Sequence, residues 1–135
     1  MTGNDLIEPA LRLLTVLDEI QNASAEQSAT GLVVLNDLMA DLAGDGVDLG
    51  YAPQSDPNAD IGINIEQRQS LKYLLAVFLA PIYEKPITPV VASGATMGRN
   101  KLLRDAIYRT RTEATMTHAP LGEAWGIRSN ILTGE

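Results

Sequence analysis

Apolar residues recur along this chain with the period of α-helices, interrupted by breaks rich in glycine and proline. Leu6, Ala10, Leu13, Leu14 and Leu17 fall at helical spacing and predict a first helix that begins somewhere in Thr2 to Asp5. Asp5 followed by Glu8 has capping-box spacing, with Asp in the cap role. Pro9 cannot donate to the helix ladder, so the helix either starts late or kinks there. The polar stretch 21–24 is a break, and Ser24 with Gln27 makes a second capping box. Ala25, Ser28, Leu32, Leu35, Leu38, Met39 and Leu42 then mark one face of a second helix, which Gly44 and Gly46 terminate. A short break of this kind predicts that the two helices form an antiparallel hairpin.

Residues 43–63 contain Gly44, Gly46, Gly50, Pro53, Pro57 and Gly62, a density that predicts a long loop with at most a short strand around Val47–Tyr51. Long loops in compact domains are usually functional or disordered. Asn64 with Gln67 opens a third helix with a stripe of Leu71, Leu74, Leu75, Phe78 and Ile82, stopped by Pro81 and Pro86. Thr88-Pro89 is a cap followed by proline at the first helical position, and it opens a fourth helix. Val91, Ala95, Leu102, Ala106 and Ile107 lie along its expected core side. Gly94 and Gly98 sit inside this helix at i, i+4. Each weakens it by about 1 kcal/mol relative to alanine, and together they either admit a closely packed neighbour or mark a fragile first half.

The periodicity ends near Thr112. The remaining segment carries Trp125, Ile127, Ile131 and Leu132, residues in which a plain disordered tail is poor. It reads as an arm that orders on a partner, the other reading being that it packs back on its own domain. The chain thus divides into a helical domain, 1–111, and an extended C-terminal arm, 112–135. The fold class is all-α: a four-helix bundle with a long 43–63 loop and that arm.

Composition supports this reading. At 135 residues the chain fits one domain, and aromatics make up only 4%, so the core must be aliphatic, which favours packed helices over a β-sandwich. There is no cysteine and one histidine, His118, which leaves no thiolate chemistry and no ordinary zinc site. No apolar run approaches the ~20 residues that span a bilayer. The start has no basic segment of the signal-peptide kind, so a chain made and kept in a cytoplasm is expected.

Charge is divided more sharply than the net −7 suggests. Residues 1–66 hold twelve acidic side chains and one basic, Arg12, whereas residues 67–135 hold nine basic and five acidic. One reading is a solvated acidic face with scattered arginines. The other is complementarity between copies, since a head-to-tail contact joins two different surfaces and can close into a ring.

Catalytic motifs are missing. The glycine-aspartate run at 44–50 lacks the bidentate glutamate of a calcium loop, and Gly94 to Lys101 lacks the spacing of a phosphate loop. No spacing among the carboxylates imposes the cleft geometry of a glycosidase pair. Lys101, Arg104, Arg109 and Arg111, with Arg99, form a basic run on and past the fourth helix, and Lys101, Arg104 and Tyr108 share a face. Three readings stand: a solvated face, contact with a neighbour's acidic half, or phosphate contact. The acidic net charge and the lack of an aromatic platform argue against sequence-specific DNA binding.

Three segments in order resemble a known family: Leu6 to Leu14 with its Pro9-Ala10-Leu11; Leu35-Asn36-Asp37-Leu38-Met39-Ala40-Asp41-Leu42 followed by Asp45-Gly46 and Gly50-Tyr51; and Leu75-Ala76-Val77-Phe78-Leu79-Ala80-Pro81-Ile82-Tyr83 turning into Thr88-Pro89-Val90-Val91. Together they resemble the tail accessory, or head-completion adaptor, proteins of short-tailed phages, also called packaged-DNA stabilisation proteins. The resemblance covers roughly residues 5–110, and Ser129 to Gly134 is similar to the end of family tails. It implies a non-enzymatic virion protein of the neck, made in the host cytoplasm. It implies a dodecameric homo-oligomeric ring below the portal protein that closes the DNA-filled head and seats a downstream tail or nozzle protein. The C-terminal arm would clasp the portal, which makes Trp125, Ile127, Arg128, Ile131 and Leu132 the candidate contacts. Lys101, Arg104, Arg109 and Arg111 become candidates for the contact between subunits. DNA would pass through the channel without sequence-specific binding, repelled by carboxylates if the acidic half lines it. No cofactor is implied. Peptidoglycan hydrolysis, credited to some members, and DNA binding are the alternatives. The chain departs from the family pattern at Leu42, where a large aromatic is common, and at Glu84, where glycine is common.

Overall fold

The computed structural model describes residues 1–118, with side chains as far as Arg111. Among these residues there are four α-helices: α1 (Asn4–Leu13), α2 (Ala25–Gly44), α3 (Arg68–Leu79) and α4 (Pro89–His118). A 3-10 turn, Ile65–Gln67, leads into α3. The sole β feature among the described residues is one antiparallel bridge between Thr2 and Asp60, so the fold is all-α as expected.

α1 begins at Asn4, within the expected Thr2 to Asp5, but the pair that closes its entry lies three residues earlier than expected. The Thr2 hydroxyl accepts from the Asp5 N–H at 3.3 Å, and the Asp5 carboxylate accepts from the Thr2 N–H at 2.7 Å. This reciprocal pair replaces the expected Asp5–Glu8 box, because the chain before α1 is pinned: the Ile61 N–H donates to the Met1 carbonyl at 3.0 Å. Glu8 is used elsewhere, accepting from the Ala23 N–H at 3.0 Å. The helix runs through Pro9 and does not start late. Its buried face is Leu6, Ile7, Ala10 and Leu11, with Leu14 and Leu17 beyond it; Leu13, expected inside, is half-buried.

Ser24 and Gln27 form the expected capping box at the start of α2. Ser28, Leu32, Leu35, Leu38, Met39 and Leu42 are buried, while Ala25 in the first turn is exposed. The connection from α1 is longer than the four-residue polar break, because α1 ends at Leu13 and the chain turns at Thr15.

Three helix ends share one geometry, a left-handed residue flanked by two backbone hydrogen bonds that satisfy orphan carbonyls. After α1, Val16 donates to Leu11 at 2.9 Å and Thr15 to Arg12 at 3.1 Å, with Thr15 at φ 61°. After α2, Val47 donates to Leu42 at 2.9 Å and Gly46 to Ala43 at 3.1 Å, with Gly46 at φ 89°. After α3, a tight turn closes with Lys85 donating to Ala80 at 3.0 Å and Glu84 to Pro81 at 3.3 Å, with Glu84 at φ 53°.

No strand forms at Val47–Tyr51. The 43–63 loop is instead a series of three turns in which an aspartate accepts the N–H two residues on: Asp48 from Gly50 at 2.8 Å, Asp56 from Asn58 at 2.9 Å, and Asp60 from Gly62 at 2.9 Å. Val47, Ile61 and Ile63 anchor it in the core. Asn36 on α2 holds its middle, donating to the Gln54 carbonyl at 3.0 Å and accepting from the Gln54 N–H at 3.1 Å.

The chain forms two units, Met1–Leu103 and a segment from Arg104 onward. In the first, α3 is the common element, packed by α1 and by α2, and α1 also packs on α2. Its core face is Leu71, Leu74, Leu75 and Leu79. Phe78 and Ile82, placed in that stripe from the sequence, are 37% and 51% exposed, because the inward face runs through 71, 74, 75 and 79 and the end of the helix presents Leu79 and Ala80 instead. The first half of α4 opens with the Val91 N–H donating to the Thr88 hydroxyl at 3.3 Å. It buries Val91, Ala95 and Leu102. Its glycines meet α3 closely: a Cβ on Gly98 would lie 2.8 Å from the Ser70 Cα, and one on Gly94 would lie 2.5 Å from the Tyr73 ring. The pair therefore admits a neighbour and does not mark a weak helix. In the second unit α4 continues past Thr112 to His118, Ala106 is buried, and Ile107, expected inside, is 59% exposed.

Candidate functional site

The basic run on α4 separates into two parts. Arg99 is half-buried and pairs with Asp45 and, at 3.9 Å, with Asp41. Asp45 caps the C-terminus of α2, where a carboxylate meets the negative end of the helix dipole, and Arg99 offsets that repulsion. Arg99 is thus an internal tie between α2 and α4. Lys101 is half-buried, whereas Arg104, Arg109 and Arg111 are exposed. Helical geometry puts Arg104, Ile107, Tyr108 and Arg111 on one face by i, i+3, i+4 and i+7 spacing, and all four are exposed. The sequence-predicted basic patch therefore carries Tyr108, as its spacing with Arg104 implied, and also Ile107, which periodicity had placed inside.

The acidic half has an organised feature that the apolar pattern could not reveal. Arg12, the one cation of residues 1–66, donates to the Gln21 carbonyl at 2.9 Å and the Asp18 carbonyl at 3.3 Å, and pairs with Glu8 at 3.7 Å. Together with the bond from Ala23 to Glu8, this clamps the α1–α2 connection from within. Asp18, Glu19 and Ile20 are left outside, and Ile20 is 95% exposed. A single exposed aliphatic side chain is ordinary on a protein surface; what marks Ile20 is its place on a turn whose flanking carbonyls Arg12 fixes, beside two carboxylates.

The ionisable groups of the core unit hold structure together. The bond from the Gly62 N–H, with the nearby N-terminal ammonium, keeps the exposed Asp60 carboxyl below its ordinary value. Partial burial raises Tyr51, which donates its hydroxyl proton to Asn36. Burial likewise raises Tyr83, opposed by its bond with Thr30 and assisted by Glu26. Lys72 is lowered by burial and by Arg68, and its ammonium lies 5.2 Å from the Tyr73 ring centroid. Among the described residues, no three His, Cys, Asp or Glu side chains are placed to hold a metal ion, and no helix is long and apolar enough to cross a membrane. His118 has no described side chain, and Trp125, Ile127, Arg128, Ile131 and Leu132 lie outside the described residues.

Compared with known families, residues 1–130 match the model of the P22 tail accessory factor family. No curated protein matches the chain.

Proposed function

Because the chain belongs to the P22 tail accessory factor family, we propose that it is a structural component of a short-tailed phage virion, serving as the adaptor between head and tail. In this reading identical copies form a dodecameric ring under the portal protein, close the DNA-filled head and seat the next tail protein. The arm, 112–135, docks on the portal through Trp125, Ile127, Arg128, Ile131 and Leu132. Lys101, Arg104, Arg109 and Arg111 face the acidic half of the neighbouring copy, and DNA passes the channel without base-specific contact. The observation that carries the reading is the extent of the family match, which takes in the helical core and most of the arm together.

The all-α core supports it by offering packed helices with charged side chains on their outer faces. The sharp charge division supports it too, because surfaces of opposite sign steer association and suppress wrong pairings. The test is the mass, by light scattering, of the chain alone and mixed with its cognate portal ring. A stoichiometric ring-on-ring complex is expected. A monomer that never associates with the portal would refute the adaptor role.

A further inference from the structure

The clamped α1–α2 connection and the exposed face of α4 are complementary in kind. The first presents one apolar side chain, Ile20, beside two carboxylates, Asp18 and Glu19, and Ile20 is 95% exposed. The second presents Ile107 and Tyr108 between two guanidinium groups, Arg104 and Arg111. Apolar contact at the centre with charge at the rim is the ordinary anatomy of a protein interface. The knob also needs little ordering on binding, because Arg12 already fixes the carbonyls of Asp18 and Gln21 on either side of Ile20. Pre-organisation of this kind removes an entropic cost of association.

We propose that these two surfaces are the halves of one heterologous contact between copies of this chain: Ile20 of one copy seats on the Ile107–Tyr108 face of the next, with Asp18 and Glu19 against Arg104 and Arg111. The occupant is a second copy because the signs match. The acidic turn belongs to a stretch with twelve carboxylates and one cation, and the basic face belongs to the cationic remainder of the same chain. The two surfaces differ, so the contact runs head to tail and repeats, as a ring requires. This inference rests on the adaptor reading and names the residues that would join its subunits.

The chain has no cysteine, which permits a direct test. Ile20→Cys and Ile107→Cys are made separately, mixed with the portal ring under mild oxidation, and resolved without reductant. The expected result is a disulfide-linked dimer from the mixture only, with neither variant cross-linking to itself. The double variant should give a ladder of higher species, and the dimer should fade as salt rises and screens the rim charges. Val33→Cys, exposed on α2, serves as the partner control for Ile107→Cys and should give little product. If the parent chain forms a ring on the portal but Ile20→Cys and Ile107→Cys link no better than the control pair, this contact is wrong and the adaptor reading stands. If the parent chain neither docks nor cross-links, both fall. Cross-linking of Ile20→Cys to the portal protein instead of to Ile107→Cys would also overturn the proposal, since it would give the knob a different occupant.

Discussion

Gly98 offers a quantitative test of how α3 and α4 meet. In a bare helix, Gly→Ala stabilises by about 1 kcal/mol. At Gly98 the new methyl would sit 2.8 Å from the Ser70 Cα, 3.0 Å from its Cβ and 3.1 Å from its carbonyl oxygen. Carbon pairs rest at about 3.5–4.0 Å, so the overlap with the Cα is roughly 0.7 Å or more. The obstructing atom is backbone, and no rotamer change relieves it; the helices must move apart, at a cost of about 1–3 kcal/mol. Gly98→Ala is therefore expected to be net destabilising by up to about 2 kcal/mol after the propensity gain. Gly44→Ala, in the last turn of α2, is the control, because a Cβ there meets nothing within 4 Å. It should be neutral or stabilising by up to about 1 kcal/mol. Urea titration followed by circular dichroism gives both midpoints at an unchanged slope. If Gly98→Ala melts with or after Gly44→Ala, α4 does not cross α3 at this glycine and the packing argument fails.

Glu84→Gly should raise the stability by about 0.5–1 kcal/mol, since a non-glycine residue in the left-handed region costs about 1–2 kcal/mol and glycine's extra unfolded freedom takes back part of the gain; thermal melts that show a loss would contradict the turn geometry. Gly46→Ala, at the same place after α2, should move stability the other way by about 1 kcal/mol. Asp60 has a folded-state pKa below its ordinary 3.8, so its contribution is present above that value and is lost as pH falls through the lower, folded one. Acid titration of Asp60→Asn should accordingly show a flatter decline of stability below about pH 4 than the parent; equal slopes would remove Asp60 from the acid response. Deletion of 112–135 should leave α1–α3 folded by circular dichroism and abolish portal binding, whereas an unfolded product would assign the arm to the core. A cell-wall zymogram should be blank, and a cleared band would revive the hydrolase alternative.

What the sequence made legible was whatever local chemistry decides. Ser24–Gln27 and Thr88–Pro89 marked helix starts because caps are short-range devices that act wherever they occur. The aliphatic spacing placed Leu35, Leu38, Leu71 and Leu102 inside, and all four are buried. It failed where two continuations compete: past Leu75 the apolar positions could run on through 78 and 82 or through 79, and tertiary contact with α1 and α2 chose 79, with Leu74 buried as expected. It failed at Ile107 for a related reason, as Ala106 beside it fills the inward position. The departure at Glu84 was visible as an unusual residue, but its meaning required the left-handed φ of 53°. The Ile20 knob had no signal at all, because its exposure depends on a side chain eight positions earlier in the chain, Arg12, reaching back to fix the turn. The role of Arg99 was equally hidden, since its partners Asp41 and Asp45 are remote in sequence.

The aspartate turns of the 43–63 loop have a consequence for how such a protein can change. Each turn is closed by its own carboxylate and the amide two residues on, but the later two are also tied to the start of the chain: the Asn4 N–H donates to the Pro57 carbonyl at 2.9 Å, and the Ile61 N–H to the Met1 carbonyl at 3.0 Å. The turn at 48–50 can therefore be recoded with less effect on the entry to α1 than the turns at 56–58 and 60–62, which carry those ties. The loop thus divides in two under mutation: a turn at 48–50 open to refitting, and turns at 56–62 whose change would also disturb the start of α1.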